Sequence, residues 1–171
     1  LSEIQTEQVL TPRTVVHMLD EDMTVTEALD HPKTAQFSRI PIYGEGVDNI
    51  TGKIIKRDLF QAERAGHGSD PISKYARKID RISEKLPVQQ LIDMFIKKHA
   101  HLFLVDDEFG QPSGVVTLED AIETLLGREI VDESDVVEDL QELARDKYRD
   151  RLRQDRQKLD LDENKDGPAR S

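Results

Sequence analysis

Apolar residues recur along the first three-quarters of the chain in two rhythms. Val88, Leu91, Ile92, Phe95 and Ile96 return every three or four positions, which predicts a helix from Val88 to Lys98. Short β-branched and apolar runs bounded by turn residues predict strands at Val15–Leu19, Arg39–Tyr43, Leu102–Val105 and Gly114–Val116, and a further strand entered at Gly52. Thr24 stands three residues before Glu27, the register of a capping box, so a helix is expected to start there; Pro32 limits it to a couple of turns. Asp58 opens a helix over Leu59–Ala65, and another is expected over Leu118–Leu126. Beyond Gly127 the apolar positions thin out. Leu140, Leu143, Ala144, Tyr148 and Leu152 form one narrow helical stripe, which needs a surface to lie on, in its own domain or in a partner.

These elements come in two sets. Thr24–Asp30 parallels Pro87–Asp93, and Ile40–Phe60 parallels Leu102–Ile122. Gly52 matches Gly114 and Asp58 matches Asp120 at an offset of 62 residues, while the earlier helical blocks are offset by 63. Letter-by-letter identity is modest, and the order of elements is what repeats. Each set reads as strand, helix, strand, turn, strand, helix, joined through Gly66–Pro71. The expected fold is α/β (α+β): two β-α-β-β-α units related by pseudo-twofold symmetry, their sheets packed together, plus a C-terminal helix. Each unit alone is near the size at which a core is marginal, so the two should share one.

Composition narrows the function. The 171 residues include 24 basic and 35 acidic side chains, a formal charge of −11. That disfavours a nucleic-acid binder, which neutralises phosphates with Lys and Arg. There is no cysteine, which excludes disulfides, thiolate catalysis and cysteine-ligated metals. No apolar run approaches the roughly 20 residues of a membrane helix, so the sequence reads as soluble. The five histidines form no ligand cluster, and Asp162–Gly167 matches only the first half of a calcium loop. Nothing supplies an activated nucleophile, and the expectation is that the chain is not an enzyme.

One motif carries a ligand mechanism: Gly114-Val-Val-Thr117-Leu-Glu-Asp120. Glycine permits close approach of another group, the strand ends on a hydroxyl, and a carboxylate follows in the first helical turn. Thr117 and the N–H groups of that turn suit a phosphate, and Asp120 suits the vicinal hydroxyls of a ribose. The competing reading is an ordinary helix cap, with Glu119 and Asp120 favourable to the helix dipole. In the first copy Ile55 replaces the threonine; Asp58 is flanked by Lys56 and Arg57, and so can pair with a base. Arg39 reads either as a phosphate contact or as a surface strand arginine.

The duplicated pattern resembles a cystathionine-β-synthase (CBS) domain pair, the Bateman module, whose signature is read at Gly114, Thr117 and Asp120. More narrowly, Leu10–Thr14, Ser38–Tyr43, Asp48–Gly52, Asp58-Leu59, Val105–Gly110 and Val116–Asp120 are similar to the CBS pair of the CorC/CNNM family, membrane proteins associated with magnesium and cobalt efflux. The resemblance implies an adenosine nucleotide as ligand, either ATP with Mg2+ or AMP. It also implies a homodimer, and a transmembrane domain preceding the pair in the full-length protein, with this part on the cytoplasmic side of the membrane. On that reading, residues 1–9 are a linker from the membrane domain, 10–68 the first CBS domain, 69–75 a linker and 76–128 the second CBS domain. Residues 129–158 are an acidic segment and charged helix, and 159–171 a disordered tail.

The expected nucleotide-binding set is Thr117, Asp120 and Gly114, with Lys78, Ile79, His101 and Phe103 from neighbouring strands and Arg39 and Asp58 in the first copy. Ile79 would face the adenine, whereas Phe103 reads either as core or as a base-stacking platform. Ile92, Phe95, Ile122 and Leu126 are the apolar positions expected to meet a dimer mate. A module that only dimerises, with no nucleotide, is the alternative.

Overall fold

In the computed structural model, which describes residues 3–133 and 135–165, the repeated order of elements becomes two small mixed sheets. A two-residue strand, β1 (Thr11–Pro12), comes first. The first copy follows as β2 (Leu19–Asp20), α1 (Val25–Asp30), β3 (Arg39–Tyr43), β4 (Ile50–Ile55) and α2 (Lys56–Arg64). The second copy comprises β5 (Arg81–Ser83), α3 (Val88–Lys98), β6 (Leu102–Asp106), β7 (Pro112–Thr117) and α4 (Leu118–Glu133), and α5 (Asp135–Lys165) ends the described chain. The chain divides into two units, Leu1–Leu125 and Leu126–Ser171. Both copies' sheets lie in the first unit.

The copies match in register as well as in order. In each, the first strand runs parallel to the second and the second antiparallel to the third. Even the irregularity recurs, between Ile42 and Tyr43 and again between Val105 and Asp106. The expected pseudo-twofold α+β architecture is therefore present.

Strand alternation decides where the cores sit. Ile40, Ile42 and Ile54 turn toward α1 and α2, where they pack with Val25, Ala28 and Leu59. Phe103, Val105 and Val116 turn toward α3 and α4 to meet Leu91, Phe95 and Ala121. The opposite faces meet each other: Ile50 and Tyr43 from the first sheet pack with Leu102, Leu104 and Val115 from the second, and with Ile79, Val16 and Met18. This third cluster is the shared core that neither copy could build alone.

The lead-in segments are exchanged between copies. β1, at the entry to the first copy, pairs with β7 of the second, Thr11 opposite Val115 and Pro12 opposite Gly114. Arg77, at the entry to the second copy, exchanges two backbone hydrogen bonds with Lys53 in β4, at 2.8 and 2.9 Å. Both crossings pass over a glycine. A Cβ on Gly52 would lie 2.8 Å from the Arg77 carbonyl oxygen, and one on Gly114 would overlap the carbonyl of Thr11.

Local chemistry sets the start of α1. The Thr24 hydroxyl accepts the Glu27 N–H at 3.1 Å, as its spacing predicts. The differences from expectation lie at edges. The Val15–Leu19 strand shrinks to Leu19–Asp20, because β3 offers partners only to those two residues. The strand that opens the second copy spans only Arg81–Ser83, so Lys78 and Ile79 precede it; α2 starts at Lys56, and α4 runs on to Glu133. The charged helix spans Asp135–Lys165, so residues 159–165 of the expected tail are helical, while 166–171 lie outside the described residues. Tyr148 and Leu152 of its stripe are exposed.

Gly114→Ala is expected to lower the unfolding free energy by about 2–4 kcal/mol in urea titrations, since the backbone crossing must shift to admit a methyl group. Gly46→Ala, with open space around it, should change it by less than about 0.5 kcal/mol.

Candidate functional site

Strand β7 delivers Thr117 to the first turn of α4, and the arrangement there is a cap. The Thr117 hydroxyl oxygen accepts the Asp120 N–H at 3.2 Å, and the Leu118 N–H donates to the His101 carbonyl at 3.1 Å. The hydroxyl proton of Thr117 donates to no described residue, so one oxygen can cap the helix and still give a hydrogen bond outward. Asp120 is half-buried, and its carboxylate has no ion pair among the described residues. An unneutralised carboxylate therefore stands one helical turn from a hydroxyl donor.

The expected neighbours assemble unevenly around this pair. Leu102 lies opposite Thr117 on β6, and the parallel register of β5 against β6 brings Ile79 beside Leu102. The Asp80 carbonyl accepts the Leu104 N–H at 2.9 Å, which holds this alignment. Ile79 precedes β5 and packs with Leu102 in the shared core, where it is buried. Lys78 is exposed, with its ammonium 3.7 Å from Asp80, and Lys98 reaches the same carboxylate at 3.5 Å. His101 contributes its carbonyl to the start of α4, and its side chain is exposed.

Two candidates need correction. Phe103 is fully buried and stacked on Phe95, with ring centroids 4.3 Å apart. It alternates with Leu102 and Leu104 along β6, so it faces the helices and cannot stack on a base beside Thr117. The same contact removes Phe95 from the residues that could meet a dimer mate. Gly114 has a cause of its own: the group that needs its missing side chain is the Thr11 carbonyl of this chain.

The first copy has the same backbone with different chemistry. Arg39 lies opposite Ile55 as Leu102 lies opposite Thr117, and the Lys56 N–H donates to the Ser38 carbonyl at 2.9 Å, as Leu118 does to His101. Ile55 gives α2 no side-chain cap. Asp58 is held by Arg77, whose Nε and Nη2 donate to it at 3.0 and 2.8 Å. Burial first, and then Arg39, push the Lys53 ammonium below the usual lysine range; Arg77 adds to this and Asp80 opposes it. Arg77 is a residue that sequence reasoning missed. It lies 19 positions from Asp58 and meets it only because the lead-in segment crosses β4.

The histidines serve local structure. His17 lies within 4.7 Å of His31 and 5.7 Å of Phe37, ring to ring, and burial followed by the charges of His31 and Lys33 holds it below the usual histidine range. His99 closes α3 in the left-handed region at φ 51°. Among the described residues no group of three or more His, Asp or Glu could hold a metal ion, and no helix is long and apolar enough to cross a membrane.

Residues 73–127 match the family model of the CBS domain. A UPF0053 protein of Synechocystis sp. is 37% identical over 154 residues, which are 90% of this chain and 44% of that protein. The magnesium and cobalt efflux protein CorC of Escherichia coli K12 is 30% identical over 140 residues, 82% of this chain and 48% of CorC. The chain thus spans less than half the length of these curated relatives. Among solved structures, the CBS domain of a bacterial CNNM/CorC family Mg2+ transporter in complex with ATP superposes with a TM-score of 0.68 at 27% identity, covering 72% of this chain and 87% of that one. The CBS domain of a putative transporter from Clostridium difficile 630 gives a TM-score of 0.66 at 28% identity, covering 74% of this chain and 96% of that one.

Because Thr117 caps α4 whether or not anything is bound, Thr117→Ile should lower the unfolding free energy by about 1 kcal/mol, whereas Thr117→Ser should stay within about 0.5 kcal/mol of wild type. Chemical denaturation of the two variants measures this.

Proposed function

We propose, for a chain that is a CBS-domain protein related to the CorC and CNNM transporters, that it senses an adenosine nucleotide and relays its presence to an ion-transporting membrane domain. One observation carries the reading. At matched positions, Asp58 is paired with Arg77, while Asp120 forms no ion pair with any described residue and stands beside the hydroxyl of Thr117. A bare carboxylate next to a donor is what a ribose and its phosphate need, and it costs a fold something to leave it so. The solved relative that holds ATP supports the same ligand class.

On this reading Thr117 and the N-terminus of α4 meet phosphate, Asp120 accepts the ribose hydroxyls, and Ile79, 9% exposed, offers the base only a small apolar edge. Lys78 and His101 flank the opening, and Arg39 and Asp58 belong to a weaker first-copy site. ATP with Mg2+ is the first choice and AMP the second. The formal charge of −11 opposes a free triphosphate, so Mg2+ should matter more for ATP than for AMP. Binding performs no chemistry. It favours one arrangement of a dimer by differential affinity, and the cytoplasmic module thereby biases magnesium or cobalt transport by a membrane domain in the full-length protein.

Calorimetry with ATP-Mg2+ and AMP tests the ligand. Thr117→Ile should weaken ATP-Mg2+ by more than about tenfold through loss of the phosphate hydrogen bond. Asp120→Ala should weaken both nucleotides alike, and Ile55→Thr should strengthen binding at the first copy. Wild-type affinity retained in both second-copy variants would place the nucleotide elsewhere; absence of binding to wild type would favour a module that only dimerises.

Dimerisation has its own support. Phe60 on α2 and Ile122 on α4 occupy equivalent positions and are 51% and 38% exposed, a paired apolar surface suited to a second copy. Sedimentation should give twice the chain mass for wild type and the chain mass for Phe60→Asp combined with Ile122→Asp.

A further inference from the structure

Along α5, Tyr148, Leu152 and Leu159 are 64%, 48% and 64% exposed. Every residue from Ala144 to Leu159 is exposed, so nothing in the described chain covers them. At 3.6 residues per turn, Ala144, Tyr148, Leu152 and Leu159 fall within about 40° of one line along the helix.

The charges are sorted about this line. Arg145, Arg149 and Arg156 lie about 60–100° to one side, and Lys147, Arg151 and Lys158 lie about 60–100° to the other. Asp146 and Asp150 fall on the far face, about 160° away. Within Ala144–Leu159 only Asp155 interrupts the stripe. The segment carries seven basic and three acidic side chains, in a chain whose formal charge is −11.

Whatever covers the stripe must also meet these flanks. A second copy of the same segment, laid face to face in either direction, would set one row of cations against another, and like charges beside a helix seam oppose pairing. A nucleic-acid backbone would use the cations and leave the apolar line between them in water. An anionic bilayer uses both. Tyr148 and the leucines enter the boundary between headgroups and acyl chains, the flanking Lys and Arg extend to lipid phosphates on either side, and the far aspartates stay in water.

We infer that α5 lies on the surface of an anionic phospholipid bilayer through Ala144–Leu159, stripe toward the lipid. At 1.5 Å per residue the contact is about 24 Å long. It tethers the chain to a membrane through the chain's own side chains. Asp155 keeps the tether weak and reversible, because it sets a carboxylate among the apolar groups and against the lipid charge. The inference goes beyond the nucleotide reading at Thr117 and Asp120 and does not rest on it.

Co-sedimentation of the full chain with lipid vesicles, in the absence of nucleotide, is the test. Wild type should pellet with phosphatidylglycerol vesicles at low salt and stay in solution with phosphatidylcholine vesicles. Tyr148→Glu combined with Leu152→Glu, and Arg145→Glu combined with Arg149→Glu, should each lose about tenfold or more in affinity. All four side chains are exposed, so the melting temperature should not move. Asp155→Leu should bind more tightly than wild type. The chain has no tryptophan, so Leu152→Trp adds a single indole whose emission should shift to the blue only with phosphatidylglycerol vesicles. Absence of wild-type binding to phosphatidylglycerol, equal binding to both lipids, or wild-type affinity in either double variant would overturn the inference. So would a chain mass in sedimentation that halves, without lipid, in the Tyr148→Glu and Leu152→Glu variant, since that assigns the stripe to a second copy. Failure of the nucleotide reading shows separately, in calorimetry with AMP.

Discussion

At Gly114 the carbonyl of Thr11 occupies the space a side chain would need, and at Gly52 the carbonyl of Arg77 stands 2.8 Å from where a Cβ would be. These two contacts let each copy's lead-in segment cross the other copy's last strand. The crossings place Val16, Met18 and Ile79 in the shared core, where they help to cover the sheet faces that the helices leave bare. Without the exchange, Leu102, Leu104, Val115 and Ile50 would lose the packing of Val16, Met18 and Ile79. Burying such apolar area contributes about 25 cal/mol per Å², and neither copy has a second layer of its own to supply that burial.

A duplicated backbone carries two different sets of side chains. Register, bulge and helix-start hydrogen bonds recur at each copy, so the scaffold imposes little difference between them. What differs is charge and hydroxyl content at a few matched positions. Threonine or isoleucine stands at the strand end, leucine or arginine opposite it, and the aspartate is either bare or paired. Both sets are compatible with the same backbone. The pairing of Asp58 with Arg77 also shows how a motif residue can be kept while its availability is withdrawn. Two hydrogen bonds from one guanidinium occupy an oxygen of that carboxylate.

Several features were legible in the sequence by itself because they depend on neighbours within a few positions. The helix at Val88–Lys98 and the strand at Arg39–Tyr43 appear with the bounds their patterns predict, and Thr24 caps α1 as its spacing to Glu27 requires. The duplication, and with it the pseudo-twofold arrangement, was readable from the repeated order of elements, with Gly52 matching Gly114 and Asp58 matching Asp120. Periodicity, capping and repeat spacing are local, so one chain suffices to show them.

Tertiary structure decided what local patterns leave open. Phe103 reads from the sequence as core more readily than as a base-stacking platform, and strand parity, which turns it onto Phe95, decides for the core. Val15–Leu19 has the composition of a strand, yet only Leu19 and Asp20 find hydrogen-bonding partners. Gly114 belongs to a ligand motif by its spacing, but its missing side chain makes room for Thr11, more than a hundred residues earlier in the chain. Arg77 neutralises Asp58, and the cations of α2 line one hollow, only after the crossing and the helix have set their directions. Which face a side chain joins, and which charge it meets, depends on segments far apart in sequence, and that information exists only once the two copies have closed on each other.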